Sequence, residues 1–143
     1  MKTVVLATLS FFVLMVIPAL LLTSATLYFQ TPQRPDAVGD FLVAAYYVFF
    51  SASLSTVGFL IPTAFSEPWR ALAASRAAAI AASLGFVAPL VVLAVAAGGA
   101  TVLLPLFRKV PWLATTLFHA VPGIVLGVAA LLIAGASRKR PVP

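Results

Sequence analysis

The chain has 143 residues, of which 63% are hydrophobic and only 8% are charged, and it carries a net charge of +6. So few charged side chains cannot cover a water-soluble surface, which excludes an ordinary soluble domain. The sequence contains no cysteine, which excludes disulfide bonds and thiolate metal sites.

The hydropathy pattern predicts four membrane-spanning helices, because four apolar stretches each reach or exceed the ~20 residues that cross a bilayer core of ~30 Å. They lie at about residues 4–28, 41–65, 77–104 and 112–136. The predicted fold is therefore all-α: a polytopic membrane protein whose four transmembrane helices form one small bundle and one integral domain.

The first stretch has two interpretations. It follows Met1 and Lys2 and ends near three small residues, Thr23, Ser24 and Ala25, as a cleaved secretory signal does. Its apolar run is longer than the core of about 7–15 residues of a signal peptide. We therefore expect an uncleaved membrane anchor.

The second stretch, residues 41–65, is expected to begin after a polar link and a helix cap. The pair Gly39-Asp40 suits a turn followed by an aspartate cap. The link after this stretch contains Trp69, which we interpret as an anchor at the membrane–water interface.

The third stretch is too long for one straight crossing. The 31 residues between Arg76 and Arg108 carry no charge, and as one helix they would reach about 46 Å at 1.5 Å per residue. We expect this helix to tilt, to bend at Pro89, or to lay its start along the interface. Pro111 suits the first turn of the last helix, and Trp112 suits an anchor there.

The basic residues are distributed unevenly between the two ends of a four-span bundle. Six fall at one end and three at the other: Lys2, Arg70, Arg76, Arg138, Lys139 and Arg140 against Arg34, Arg108 and Lys109. The positive-inside rule then predicts both termini in the cytoplasm, in the inner membrane of a prokaryote. Because these cations adjoin apolar spans, we expect them to contact anionic lipid headgroups, and we expect no nucleic acid partner.

The acidic residues argue against proton transport and enzymatic catalysis. All three carboxylates, Asp36, Asp40 and Glu67, lie in links, whereas proton-coupled transporters normally place an acid within a span. No pair of carboxylates is available for acid–base catalysis inside the membrane. We therefore predict no catalytic residues and a protein that is not an enzyme.

His119 is the only histidine and lies in the last apolar stretch. An imidazole in the membrane is a candidate cofactor ligand, here for the iron of a haem or the magnesium of a chlorophyll-type tetrapyrrole. The alternative is a neutral histidine that is hydrogen-bonded to a serine, a threonine or a free carbonyl of a neighbouring helix. We favour the second interpretation, with no cofactor and no metal site.

Small residues at helical spacing predict close helix packing, because lipid tails cannot drive helices together and backbones must approach each other closely instead. The last stretch contains Gly123 and Gly127, four residues apart, and the third contains two further pairs. The candidate packing residues are Ser51, Ser55, Gly58, Gly85, Gly123 and Gly127, with Ala81–Gly85 and Ala94–Gly98 as the pairs of the third stretch.

Residues 41–85 resemble the pore loop of tetrameric potassium channels. In that family an aromatic pore helix precedes a filter of the form T-V-G-Y-G-D, and this chain has Tyr46 and Tyr47 before Ser55-Thr56-Val57-Gly58-Phe59, followed by Pro62. The resemblance implies an ion pathway at Thr56, Val57 and Gly58, with Gly85 as an inner-helix hinge. The chain departs from the pattern at Leu60 and Ile61, which replace the second filter glycine and the acid, and a re-entrant loop would reverse the charge asymmetry.

The sequence therefore predicts a non-enzymatic integral membrane protein, either a structural or accessory subunit that packs against a larger membrane complex or a protein that packs against itself. A pore subunit with a degenerate filter at residues 55–59 is the first alternative. A tetrapyrrole-binding protein with His119 as the ligand is the second.

Overall fold

A computed structural model describes residues 1–30 and 37–138. The described residues form four long helices and one short one, with no strand among them: α1 (Lys2–Gln30), α2 (Ala37–Ala64), α3 (Glu67–Arg70), α4 (Ala74–Lys109) and α5 (Pro111–Arg138). Each long helix contains a segment that is long and apolar enough to cross a bilayer. The predicted all-α fold with four transmembrane helices is confirmed, and the protein is a multi-pass membrane protein.

The helices extend beyond the spans predicted from hydropathy. Helix α2 begins at Ala37, so Asp40 lies in its first turn and does not cap it. Helix α4 is one continuous helix of 36 residues that includes Pro89 and Pro105. Only Val110 separates α4 from α5, so Arg108 and Lys109 belong to the last turn of α4. Arg34, Lys139 and Arg140, which the charge count used, lie outside the described residues.

The most extensive packing joins helices that are not neighbours in sequence, α1 with α4 and α2 with α5. Helix α1 also contacts α2, and α4 also contacts α5, so the four form a ring in the order α1, α4, α5, α2. Gly123 lies against Ser55 and Gly127 against Phe59. Residue numbers therefore increase in the same direction along the two helices, so α2 and α5 are parallel.

The N-terminus of α1 lies at the same end of the bundle as α3. There Thr3 Oγ1 donates a hydrogen bond to the carbonyl of Leu72, 3.4 Å away. The short helix α3 contacts α1, α2 and α5. It begins after Ser66, whose hydroxyl accepts from the N–H of Trp69 at 3.5 Å. This segment therefore closes one end of the bundle.

Nearly all the buried side chains lie in the half of the bundle next to α3, which we call the closed half (residues 2–16, 52–88 and 122–138). Its centre is a column of aromatic rings. Phe11 stacks on Phe59 with 4.4 Å between ring centroids, and Phe59 meets the indole of Trp69 edge-on at 6.0 Å. Around this column alanine is the commonest buried residue, because small side chains let the helices approach.

Trp69 is fully buried, so the prediction that it anchors the chain at the membrane interface is wrong. Its indole covers the end of the core beside Phe59 instead of facing lipid headgroups. Its Nε1 has no hydrogen-bond partner among the described residues. Trp112, by contrast, is 71% exposed at the start of α5, where an interfacial tryptophan belongs.

The other half of the bundle, which we call the open half (residues 17–30, 37–51 and 89–121), buries almost nothing. Ala114 is its only buried residue among those whose side chains are described. A cavity of about 300 Å³ lies between α1, α2 and α4 in this half. The aromatic side chains of its α2 portion, including Tyr46 and Tyr47, are largely exposed.

Candidate functional site

The contact between α2 and α5 contains most of the residues that small-residue spacing had picked out. A Cβ atom on Gly123 would lie 2.6 Å from the carbonyl carbon of Ser55 and 2.9 Å from the amide nitrogen of Phe59. On Gly127 it would lie 2.8 Å from the carbonyl oxygen of Phe59. The structure therefore brings the two backbones together at a distance that no side chain permits.

Gly58 belongs to the same contact from the side of α2. Its Cβ position would be 3.1 Å from the carbonyl carbon of Ala120 and 3.1 Å from the amide nitrogen of Ile124. All these neighbouring atoms are backbone atoms, which cannot rotate away. The described glycines have no positive φ, so what glycine provides here is space and not conformational freedom.

Gly85 is placed elsewhere, at the contact between α1 and α4. A Cβ there would lie 3.0 Å from the Cα of Phe11. The helix continues through this position without interruption, so the hinge implied by the channel resemblance is not present. Gly85 instead lets the backbone of α1 approach α4 at Phe11, the residue whose ring stacks on Phe59.

His119 joins α5 to α2 through both its side chain and its backbone. Its Nδ1 lies 3.0 Å from the hydroxyl oxygen of Ser51, and the hydroxyl of Ser55 donates to its carbonyl oxygen at 2.7 Å. Pro122, three residues later, lies inside α5 and lacks the N–H that would donate to the carbonyl of residue 118. The ring of Phe50 stands edge-on to the imidazole, with 5.7 Å between centroids.

This arrangement uses His119 as a hydrogen-bonding link between helices, which is the interpretation favoured from the sequence. With Nδ1 engaged by Ser51, Nε2 is the ring atom that an axially bound metal would use. The described residues contain no group of three or more His, Cys, Asp or Glu side chains that could hold a metal ion.

Residues 55–59 do not have the conformation of a channel filter. They lie in the middle of the continuous helix α2, and the hydroxyl of Thr56 donates to the carbonyl of Ala52 at 2.7 Å. Val57 is exposed on the outside of the bundle. Thr56, Val57 and Gly58 thus do not form an ion pathway of the filter type, because helical carbonyls are used within the helix.

A further surface feature lies on α4 in the open half. We call it the α4 groove; it has a volume of about 550 Å³ and is lined by Leu90, Val91, Ala94, Val95, Gly98 and Gly99. A Cβ on Gly98 would meet nothing within 4 Å. A Cβ on Gly98 of the pair Ala94–Gly98, noted from the sequence as a packing pair, therefore meets no neighbour among the described residues.

Two features escaped sequence reasoning, the burial of Trp69 and the cavity between α1, α2 and α4. Ser66 before Glu67 and Pro68 was a detectable start signal for α3, and it would have placed Trp69 on a short helix. The cavity depends on which helices are neighbours, and no local pattern encodes that.

Comparison with known proteins finds no relative of this chain. No protein family model matches the sequence, and neither a curated protein nor a solved structure shows significant similarity to it.

Proposed function

We propose that the chain is a non-enzymatic accessory subunit of a prokaryotic inner membrane, which binds a second membrane protein, or a second copy of itself, through the α4 groove. The observation that supports this is the unused small-residue pair Ala94–Gly98. Gly58, Gly85, Gly123 and Gly127 each face backbone of another helix, whereas Gly98 faces open space.

The α4 groove suits a transmembrane helix in its chemistry, because its lining is small and aliphatic. Ala94 and Gly98 lie one turn apart and leave the backbone of α4 accessible, while Leu90 is 62% exposed beside them. Small residues at this spacing let two membrane helices make close backbone contact. The charged side chains Lys2, Arg70, Arg76, Arg108 and Lys109 are all exposed near the helix ends, where they suit anionic headgroups.

A photo-crosslinking experiment in native membranes tests the proposal. A benzophenone amino acid replaces Leu90 in the α4 groove or, as a control, Leu132, which is 70% exposed on α5. We expect one discrete adduct from position 90 and none at the same mass from position 132. An adduct of twice the chain mass identifies a second copy, and any other mass identifies a different partner.

A second substitution separates specific packing from random collision. Gly98→Leu should abolish the adduct from position 90, because the added side chain holds the backbones apart. Gly135→Leu is the matched control, since a Cβ at Gly135 also meets nothing within 4 Å. Crosslinking that survives Gly98→Leu, or that is the same from both positions, contradicts the proposal.

The proposed orientation places the end of the bundle that carries α3 in the cytoplasm. It rests on the basic residues, because the start of α1 and helix α5 both contact the α3 segment, and Lys2, Arg70 and Arg76 lie at that end. Because the chain has no cysteine, single-cysteine variants report topology cleanly. A membrane-impermeant maleimide added to intact spheroplasts should label Val110→Cys and leave Ala71→Cys unlabelled. The reverse pattern refutes this orientation.

A further inference from the structure

The cavity in the open half is lined by side chains from three helices, and none of the described residues that line it is charged. Helix α1 supplies four of them, α2 four and α4 three: Met15, Ala19, Leu22, Thr23, Ala44, Tyr47, Val48, Ser51, Pro89, Val92 and Leu93. Its volume, about 300 Å³, is at the lower end of the range of small-molecule sites, roughly 300–1,000 Å³. An apolar lining without charges selects a neutral, hydrophobic occupant.

The depth of the cavity limits what can enter it. Ser51 is the middle residue of the span Val38–Ala64, so it lies about 20 Å from either end of that span at 1.5 Å per residue. Lipid headgroups and glycerol esters stay near the interface of a core that is ~30 Å thick. An occupant near Ser51 is therefore either a plain hydrocarbon tail or a small apolar molecule that brings its own polar group.

Ser51 differs from most hydroxyl residues of the spans. Ser53, for example, donates to the carbonyl of Phe49, four residues earlier, at 2.8 Å, and Thr23 donates to Ala19 at 2.8 Å. Ser51 instead lies 3.0 Å from Nδ1 of His119. When the imidazole carries its proton on Nδ1, that N–H donates to the Ser51 oxygen, and the hydroxyl hydrogen remains for an acceptor in the cavity.

We propose that this cavity binds a neutral quinone with an alkyl or isoprenoid tail, and that the Ser51 hydroxyl donates a hydrogen bond to one quinone carbonyl. His119 is a positioning residue that holds the Ser51 hydroxyl through its Nδ1. The ring occupies the space between α1, α2 and α4, and the tail extends into the surrounding lipid. With the imidazole proton on Nδ1, a quinone carbonyl gives the Ser51 hydrogen an acceptor that a hydrocarbon tail does not supply.

The test compares two ligands that share a tail. The purified protein in detergent micelles is melted with increasing amounts of a decyl-substituted benzoquinone or of decylbenzene, which has no carbonyl, and apparent affinities are taken from the ligand dependence of the melting temperature. We expect the quinone to bind roughly fivefold more tightly, as one neutral hydrogen bond provides. Equal affinities of the two ligands overturn the proposal.

Variants locate the binding. Ser51→Ala should remove the difference between the two ligands, whereas Ser53→Ala, which changes a hydroxyl outside the cavity on the same helix, should preserve it. Ala44→Phe should fill the cavity and weaken both ligands. Ala19→Phe fills it from α1, so the test remains decisive if one variant fails to fold. Quinone binding that is unchanged by Ser51→Ala, or by either filling variant in folded protein, contradicts this site.

Discussion

The closed and open halves of the bundle are made from the same four helices and differ in the residues at their facing surfaces. In the closed half, glycines and alanines let α2 approach α5 and α1 approach α4 until backbone atoms touch. In the open half, larger side chains such as Leu22, Tyr47 and Leu93 line a cavity between α1, α2 and α4. Close packing in a membrane thus follows the placement of small residues more than overall hydrophobicity.

Two prolines mark where the halves meet. Pro18 in α1 lies two residues after Val16, and Pro89 in α4 lies directly after Ala88; Val16 and Ala88 are the last buried residues of their helices among the described side chains. A proline in a helix removes one backbone hydrogen bond and favours a bend. Because α1 and α4 each carry a proline at this level of the bundle, a bend in each helix accounts for the end of their close contact there.

The largest effect is expected from Gly123→Leu, which would break the closed half. The new side chain would have to occupy space now filled by backbone of Ser55 and Phe59. We expect a loss of at least about 3 kcal/mol in the free energy of unfolding, the upper end of typical overpacking costs, measured by denaturation in mixed micelles. Gly135→Leu, on a face of the same helix where a Cβ meets no described atom within 4 Å, should leave stability nearly unchanged.

Trp69→Ala should come next, because it removes the indole that covers the end of the aromatic column. Truncation of a fully buried tryptophan costs about 3–5 kcal/mol in soluble cores, and we expect a value near the lower end here because Nε1 has no partner to lose among the described residues. Trp112→Ala, at an exposed position, is the control. If the two variants lose equal stability, Trp69 is not part of the core.

Gly58→Ala should cost about 1–3 kcal/mol. On the sequence alone this change looks mild, but a single methyl group there meets the backbone of Ala120 and Ile124. Gly98→Ala adds the same methyl group in open space and should be neutral or slightly stabilising through helix propensity. Thermal unfolding of the two variants, followed by circular dichroism, compares the halves directly, and a greater loss for Gly98→Ala would reverse the comparison.

A smaller effect is expected at the link between the halves, where Ser51 meets His119. His119→Ala should lower the free energy of unfolding by about 1 kcal/mol, typical of one hydrogen bond between membrane helices. Combined with Ser51→Ala, the loss should be less than additive because both changes remove the same bond. An absorption band in the visible range that is present in the purified protein and lost in His119→Ala would instead establish a tetrapyrrole ligand.

The sequence predicted the fold because span length and hydrophobicity are local properties that a bilayer selects for. It also identified Gly123 and Gly127 as packing candidates, since a small residue every fourth position marks one helix face. It did not predict which helices pair, because any of the spans could meet any other. Trp69 was misplaced for the same reason: a tryptophan beside charged residues suits the interface as well as the end of a core.

The resemblance of residues 55–59 to a channel filter misled for a different reason. A filter and a tight helix contact both require glycine, one for backbone conformation and the other for space. At Gly58 the neighbouring backbone of α5 shows that space is the requirement. That distinction depends on a partner helix more than sixty residues away in sequence, which no short motif can encode.

The most direct test of the difference between the halves is amide hydrogen exchange of α4 in lipid nanodiscs, because this helix crosses both of them within one span (Ala74–Gly99). Residues 76–88 pack against α1 in the closed half, and residues 90–99 adjoin the cavity and the α4 groove. Local opening is easier where fewer side chains are buried. The account predicts exchange at least roughly tenfold faster over residues 90–99 than over 76–88, and equal or reversed rates would contradict it.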